Sequence, residues 1–137
     1  MFTNPPPDQI RSLLQEVKTI AVVGLSPRPD RPSYRVARGM QGFGYRIVPV
    51  RPAVAEVLGE KAYPHLSDIP HPIDLVDVFR AADQIDPIVD ECIAMGVKRL
   101  WLQDGVINEK AAERARAAGI VVVMDRCVWR DYLDLIP

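Results

Sequence analysis

The sequence has 137 residues, 48% of them hydrophobic and 26% charged, and its formal net charge at pH 7 is −1. These values are typical of one folded globular domain, and they exclude nucleic-acid or membrane-surface binding that relies on bulk positive charge. We therefore expect a single domain over residues 1–137, with no nucleic-acid or membrane partner and with any basic site confined to a local cluster.

The sequence also limits the compartment and the chemistry. No apolar run is long enough to span a bilayer and no signal sequence follows Met1, so we expect a cytoplasmic protein. Cys92 and Cys127 are too few for a disulfide framework and are predicted to be free thiols. His65 and His71 lie in a proline-rich loop without a cysteine nearby, so no metal site is expected.

Five short apolar runs alternate with stretches of helical periodicity, a pattern typical of a parallel sheet with helices on both faces. The predicted strands span residues 19–24, 45–50, 74–79, 97–103 and 120–124. Pro49 predicts an edge position or a bulge for the second strand. Ser33 and Asn108 are expected to cap helices, and a short helix is expected over residues 54–58. The fold class is therefore α/β, a doubly wound Rossmann-type sheet of about five strands, for which right-handed crossovers favour the order 3-2-1-4-5.

Ligands of such sheets bind beyond the carboxyl ends of the strands, where the strand order reverses. The loop after the first strand is the most informative, because it precedes a helix whose free N–H groups and dipole favour an anion. Three prolines stiffen this loop, and arginine suits phosphate oxygens. Its polar and cationic side chains are Ser26, Arg28, Arg31, Ser33 and Arg35. A rigid connector with solvated arginines is the alternative, and we favour the anion site.

The segments after the other strands carry weaker signals. Arg51 stands where an NAD enzyme commonly has an acidic residue, which points to a phosphorylated ribose, as in NADP or coenzyme A (CoA); an exposed arginine explains it equally well. Gly105 can bring its backbone close to a ligand, or form an ordinary loop. Arg126 could favour a thiolate at Cys127, although a small core residue is the commoner role for a lone cysteine.

Several motifs together resemble the stand-alone CoA-binding domain proteins, which are similar to the N-terminal domain of the succinyl-CoA synthetase alpha subunit. The resemblance covers nearly all of the chain between Thr19 and Cys127. It rests on the segments "VVGLSPRPDRPSYRVA", "YRIVPVRP", "GEKAYPHLSDIP", "DLVDVFR", "WLQDGVINEKAAERARAAG" and "VVMDRC". The family pattern after the second strand is commonly Val-Asn-Pro, whereas this chain has Val-Arg-Pro.

The resemblance implies a doubly wound nucleotide-binding fold that holds coenzyme A across the strand ends. Together with the arginines of the first loop, it assigns a candidate contact to each part of the ligand. The diphosphate would face Gly24, Leu25, Ser26, Pro27, Arg28, Ser33, Tyr34 and Arg35. The adenosine end would meet Val50, Arg51 and Pro52, and the middle would meet Phe79 and Arg80. The pantetheine arm would lie near Gln103, Gly105 and Val106, with its thiol near Cys127.

Three functions follow, of which we favour a CoA or acyl-CoA binding module with no complete catalytic apparatus and no catalytic residue of its own. The second is an enzyme, either an NAD(P)-dependent oxidoreductase or a subunit of an acyl-CoA ligase. Against the oxidoreductase, Gly24 is not followed by the other glycines of a dinucleotide-binding fingerprint. The third is a regulatory protein that senses CoA and signals to a protein partner that the sequence does not identify.

Overall fold

A five-stranded, wholly parallel sheet forms the centre of the computed structural model, which describes all 137 residues. The strands of this sheet are β1 (Thr19–Val23), β2 (Arg46–Val50), β5 (Leu75–Val78), β6 (Arg99–Leu102) and β7 (Val121–Met124). The helices are α1 (Pro7–Glu16), α2 (Pro32–Gly42), α3 (Ile85–Met95), α4 (Glu109–Ala117) and α5 (Val128–Leu135). None of the helices is both long enough and apolar enough to cross a membrane. The predicted Rossmann-type α/β class and its five parallel strands are confirmed.

Helices cover both faces of the sheet, because alternate side chains of each strand point to opposite sides. In β6, Trp101 points toward α1, α2 and α5 and is fully buried. Its neighbours Leu100 and Leu102 point the other way, into the cluster formed with α3 and α4. The core therefore consists of two apolar layers separated by the sheet, and the edges of the sheet remain for loops and ligands.

The strand order differs from the prediction in one respect. The order is β2-β1-β5-β6-β7, or 2-1-3-4-5 among these five strands, so the third strand lies between β1 and β6 rather than outside β2. Each residue of β5 is at most 1% exposed, which requires a neighbouring strand on both sides. The position outside β2 is taken by Tyr63, which forms an isolated parallel bridge with Val50. The topological switch point therefore falls between β1 and β5.

The two edges of the sheet are blocked by specific residues. β2 is an edge strand, as Pro49 predicted, and this proline faces outward, where its carbonyl accepts a hydrogen bond from Tyr63 N at 3.0 Å. At the opposite edge, the side chain of Asn4 makes two hydrogen bonds to the backbone of Met124, as a neighbouring strand would. This side chain accepts from Met124 N at 2.8 Å and donates to Met124 O at 2.9 Å.

The expected helix over residues 54–58 is wrong. The chain instead forms a small antiparallel hairpin of β3 (Glu56–Val57) and β4 (Glu60–Lys61). Leu58 and Gly59, the two residues between these strands, have φ values of 55° and 77°. Positive φ at both positions is the requirement of a type I′ hairpin turn and is incompatible with a helix.

The two predicted helix caps have different outcomes. Asn108 caps α4 as expected, because its Oδ1 accepts a hydrogen bond from Ala111 N at 3.0 Å. Ser33 does not cap α2. The N-cap is Arg31 and the first helical residue is Pro32, a position that suits the fixed φ of proline. Ser33 lies one residue further in, and its hydroxyl contributes to the loop after β1.

Candidate functional site

The carboxyl ends of β1 and β5 meet at a close backbone contact. Gly24, with φ of 84°, directly follows β1, and a Cβ atom added to it would collide with the carbonyl oxygen of Phe79. Phe79 N donates to Val23 O at 2.9 Å, so the two strand ends are joined by a hydrogen bond as well. A glycine is required here because only a residue without a side chain fits both the conformation and the space.

A cationic cleft of about 500 Å³ opens directly above this contact. Its lining residues are Gly24, Ser26, Arg28, Arg31, Pro32, Ser33, Arg51 and Phe79. Three of them are arginines and none is acidic. Because α2 begins at this cleft without a side-chain cap, the dipole of the helix points its positive end into the same space. The combination suits an anion with several oxygens.

Hydrogen bonds within the loop fix the shape of the cationic cleft. Ser26 N donates to Ser33 Oγ at 3.0 Å, and Arg28 N donates to Ser26 Oγ at 3.1 Å. From the opposite side, Arg51 Nη1 reaches across to Gly24 O at 3.3 Å. Ser26 and Ser33 are both buried, so this part of the loop is ordered by the fold itself.

A second cleft, of about 350 Å³, continues from the cationic cleft toward β6 and β7. It is lined by Pro32, Val36, Phe79, Arg80, Ala81, Gln103, Asp104, Val106 and Cys127. Pro32 and Phe79 line both clefts, so the two spaces adjoin. The second cleft is the more apolar, and we refer to it as the thiol-side cleft because Cys127 lies in its wall.

A third cleft, of about 370 Å³, lies on the side of the sheet covered by α3. It is lined by Val23, Val50, Pro52, Pro64, His65, Leu66, Arg80, Gln84, Pro87, Ile88 and Glu91. Arg80 also lines the thiol-side cleft, so that one side chain separates the two spaces. We call it the α3-side cleft. The three clefts together occupy the carboxyl edge of the sheet around the switch point.

A buried carboxyl group lies beneath the thiol-side cleft. Asp77, the third residue of β5, is 1% exposed, and its Oδ1 accepts a hydrogen bond from Gln103 Nε2 at 2.6 Å. Burial raises the pKa of Asp77 to about 7, although the hydrogen bonds from Gln103 and the Val78 backbone act in the opposite direction. The sequence analysis missed this residue; the signal was an acidic residue inside an otherwise apolar strand.

Most of the residues assigned to the site by sequence line one of the three clefts. Five do not: Leu25 is fully buried in the core, Tyr34 packs against the same core, and Pro27, Arg35 and Gly105 are exposed outside the clefts. The Leu25 side chain faces the core, so a contact of this residue with a ligand would have to be made by its backbone. Arg31, which the sequence placed in the anion-binding loop, lines the cationic cleft, and the structure adds Pro32 to that cleft and Ala81 and Asp104 to the thiol-side cleft.

The three residues at the end of β2, Val50, Arg51 and Pro52, line two different clefts. Arg51 lines the cationic cleft, whereas Val50 and Pro52 line the α3-side cleft. Adjacent residues of an extended chain point in opposite directions, which explains the division. The suggestion that Arg126 assists Cys127 is not supported, because its Nε and Nη2 donate to Asp131 at 2.6 and 2.8 Å.

The sequence profile of a known family, the CoA binding domain, matches residues 18–132. This chain belongs to the CoA binding domain family. The match includes every strand of the parallel sheet and all three clefts. A CoA-binding domain also accounts for the succinyl-CoA synthetase resemblance seen in the sequence, since the relatives of this family include ADP-forming acyl-CoA ligases.

Individual relatives of this CoA binding domain fall into two groups. It is 43% identical to the uncharacterized protein YneT of Bacillus subtilis over 125 residues, covering 91% of this chain and 93% of that protein. It is similar in structure to a hypothetical protein from Pyrococcus horikoshii, with a TM-score of 0.93 and 35% identity over 100% of this chain and 99% of the other. It is also 30% identical to an ADP-forming acetate–CoA ligase of Archaeoglobus fulgidus, over 72% of this chain but only 15% of the ligase.

Proposed function

We propose that this protein binds coenzyme A or an acyl-CoA along the carboxyl edge of the sheet. The observation that carries the proposal is the adjoining pair of clefts, one cationic and one largely apolar, that share Pro32 and Phe79. A ligand that fits must carry an anionic group at one end of this path and a long, weakly polar arm at the other. Coenzyme A has this division, and membership of the CoA binding domain family supports the same ligand.

The diphosphate of CoA is assigned to the cationic cleft. Arg28 and Arg31 border the start of α2, and Arg51 faces them from β2. Arg28 and Arg31 are exposed, so their side chains can turn toward phosphate oxygens without leaving a buried position. The N–H groups at the start of α2 would supply the remaining donors.

The pantetheine arm is assigned to the thiol-side cleft. Val36, Phe79 and Val106 provide apolar contacts for its methyl and methylene groups, while Gln103 provides a polar group for its amides. The arm would end at Cys127. The adenine ring would then lie toward Val50 and Pro52 in the α3-side cleft, with the 3′-phosphate within reach of Arg51.

Titration calorimetry with CoA, NAD, NADP and ATP tests the proposal. We expect CoA to bind most tightly, because only CoA presents both a diphosphate and a long thiol arm to the two clefts. NADP is the decisive competitor, since it also carries a phosphate on its ribose. Binding of NADP as tight as that of CoA would contradict the assignment. Both cysteines are unpaired, which fits a reducing, cytoplasmic setting for the proposed function.

A role as the CoA-binding part of an acyl-CoA ligase is the second candidate, favoured by the similarity to the acetate–CoA ligase. The chain spans about 15% of that ligase, so acyl transfer would require further domains. Native mass spectrometry followed by an assay for acyl-CoA formation from acetate, ATP and CoA distinguishes the candidates. CoA binding without a ligase partner or turnover favours a binding module or a CoA-sensing regulator.

A further inference from the structure

The two cysteines lie in contrasting surroundings. Cys92 is fully buried on α3, and burial raises the pKa of its thiol to about 12. Cys127 is 9% exposed, lies at the N-cap of α5 and lines the thiol-side cleft. A thiol that is shielded from bulk solvent but open to a ligand cleft is accessible mainly to molecules that enter that cleft.

A second feature of the same cleft points to a ligand. Gln103 is 3% exposed, and its amide nitrogen is held by Asp77. Its Oε1 accepts no hydrogen bond from the chain, and it is not among the fully enclosed atoms, so it opens into the thiol-side cleft. The bond to Asp77 uses one N–H of this amide, and the unpaired Oε1 is an acceptor for an N–H donor of a ligand. The amide nearest the thiol of CoA has such a donor.

We propose that Cys127 captures coenzyme A as a mixed disulfide, by exchange with CoA disulfide bound in the thiol-side cleft. The proposal rests on the proposed CoA-binding function and deepens it. The Cys127 thiolate attacks one sulfur of CoA disulfide, and the S–S bond of that molecule breaks as the bond to Cys127 Sγ forms. The second CoA leaves as a thiolate and takes up the proton that Cys127 released. CoA disulfide is the oxidant, and one reduced CoA is released for each cysteine modified.

An exposed ion pair lies beside the thiol-side cleft. Asp104 lines the cleft and is held by Arg130 through contacts of 2.8 and 3.1 Å, at a surface where both side chains are more than half exposed. Asp104 raises the pKa of Arg130, first by hydrogen bonding and then by its charge, and Cys127 adds a smaller influence of the same sign. Because Asp104 lines the same cleft as Cys127, the departing CoA can leave past this exposed pair.

Peptide mapping by mass spectrometry after incubation with CoA disulfide tests the inference. Glutathione disulfide is the matched control, because it offers the same S–S bond without the adenosine diphosphate part. We expect one reductant-sensitive CoA adduct, on Cys127 and not on Cys92. The rate should exceed that with glutathione disulfide by on the order of 10²-fold, since binding in the clefts raises the effective concentration of the disulfide. Cys127→Ser should abolish the adduct, and Cys92→Ala should retain it.

Calorimetry of the wild-type protein with reduced CoA separates two kinds of failure. If reduced CoA binds, but CoA disulfide labels Cys127 no faster than glutathione disulfide or labels mainly Cys92, the covalent capture is overturned and the proposed function stands. If reduced CoA does not bind, the proposed function itself fails and the capture fails with it. The wild-type peptide map assigns the modified site even if a cysteine variant does not fold.

Discussion

Gln103 Nε2 donates a 2.6 Å hydrogen bond to the buried carboxyl group of Asp77, and the two residues come from neighbouring strands beneath the thiol-side cleft. The contact constrains the side chain of Gln103, which also lines that cleft. It also places an ionisable group in the core, with the consequence that folding is linked to proton binding.

Asp77→Asn should remove a pH dependence of stability. The pKa of Asp77 is raised from 3.8 to about 7, so between these values the unfolded chain has released a proton that the folded protein retains. The stability of the wild-type protein should therefore decrease as the pH rises from about 4 to 7, by on the order of 1 kcal/mol per pH unit from this group. Urea denaturation across this range should show that the stability of Asp77→Asn rises relative to that of the wild-type protein as the pH increases. The exposed Asp83→Asn is the control, and an equal response of both variants would contradict the prediction.

Arg51→Ala should weaken the binding of CoA more than the binding of dephospho-CoA, because only CoA carries the 3′-phosphate. A hydrogen bond to a charged group typically contributes about 1.5–3 kcal/mol, so calorimetry should resolve the difference. Arg46→Ala, at the other end of the same strand, should leave both affinities unchanged. Equal weakening of the two ligands by Arg51→Ala would instead indicate that this arginine binds the diphosphate, which its place in the cationic cleft also permits.

Gly24→Ala should destabilise the protein more than Gly44→Ala. Both glycines have positive φ, 84° and 99°, so each substitution introduces roughly 1–2 kcal/mol of backbone strain. Only at Gly24 does the new Cβ also meet a carbonyl oxygen, that of Phe79, whereas nothing lies within 4 Å at Gly44. We expect the clash to add about 1–3 kcal/mol and to separate the ends of β1 and β5. Similar denaturation midpoints for the two variants would show that the backbone at Gly24 and Phe79 can move apart at little cost in stability.

Gly39→Ala should destabilise the packing of α2 on α5. A Cβ at Gly39 would lie 2.7–2.9 Å from atoms of the Trp129 indole, so the ring or the helix must move. Gly42→Ala in the same helix is the matched control, because nothing lies within 4 Å of its Cβ and alanine is the better helix former. We expect denaturant midpoints to shift in opposite directions, down for Gly39→Ala and up or unchanged for Gly42→Ala. A gain in stability for both would contradict the packing argument.

Local patterns predicted the elements of this fold well, because they depend on neighbours in sequence. The five strands follow from apolar runs, and the Asn108 cap follows from a polar side chain before a helix. The expected helix over residues 54–58 failed because the φ values of Leu58 and Gly59 are set by the turn, and a leucine in that position carries no sequence signal.

Long-range relationships were harder to predict. The place of β5 between β1 and β6 depends on pairing between distant segments, and the outer side of β2 is occupied by the isolated bridge from Tyr63. Contacts between distant segments were also hard to predict within the candidate site. The arginine-rich loop was visible because it is one segment, whereas the Asp77–Gln103 contact joins two strands whose register the sequence does not specify. The burial of the Leu25 side chain was likewise not visible in the sequence, because alternate residues of a loop can face the core.

The residues that block the edges of the sheet have a consequence for self-association. An exposed strand edge is a template for pairing with another chain, and in this protein part of each edge is already paired near the carboxyl end of its strand. Pro49 has no N–H to offer outward, and the next outward-facing donor, Arg51 N, is already bonded to Tyr63 O at 2.8 Å. At the other edge both outward-facing backbone groups of Met124 are bonded to Asn4. One proline and one asparagine thus reduce the number of free backbone groups that each edge of this all-parallel sheet offers to another chain.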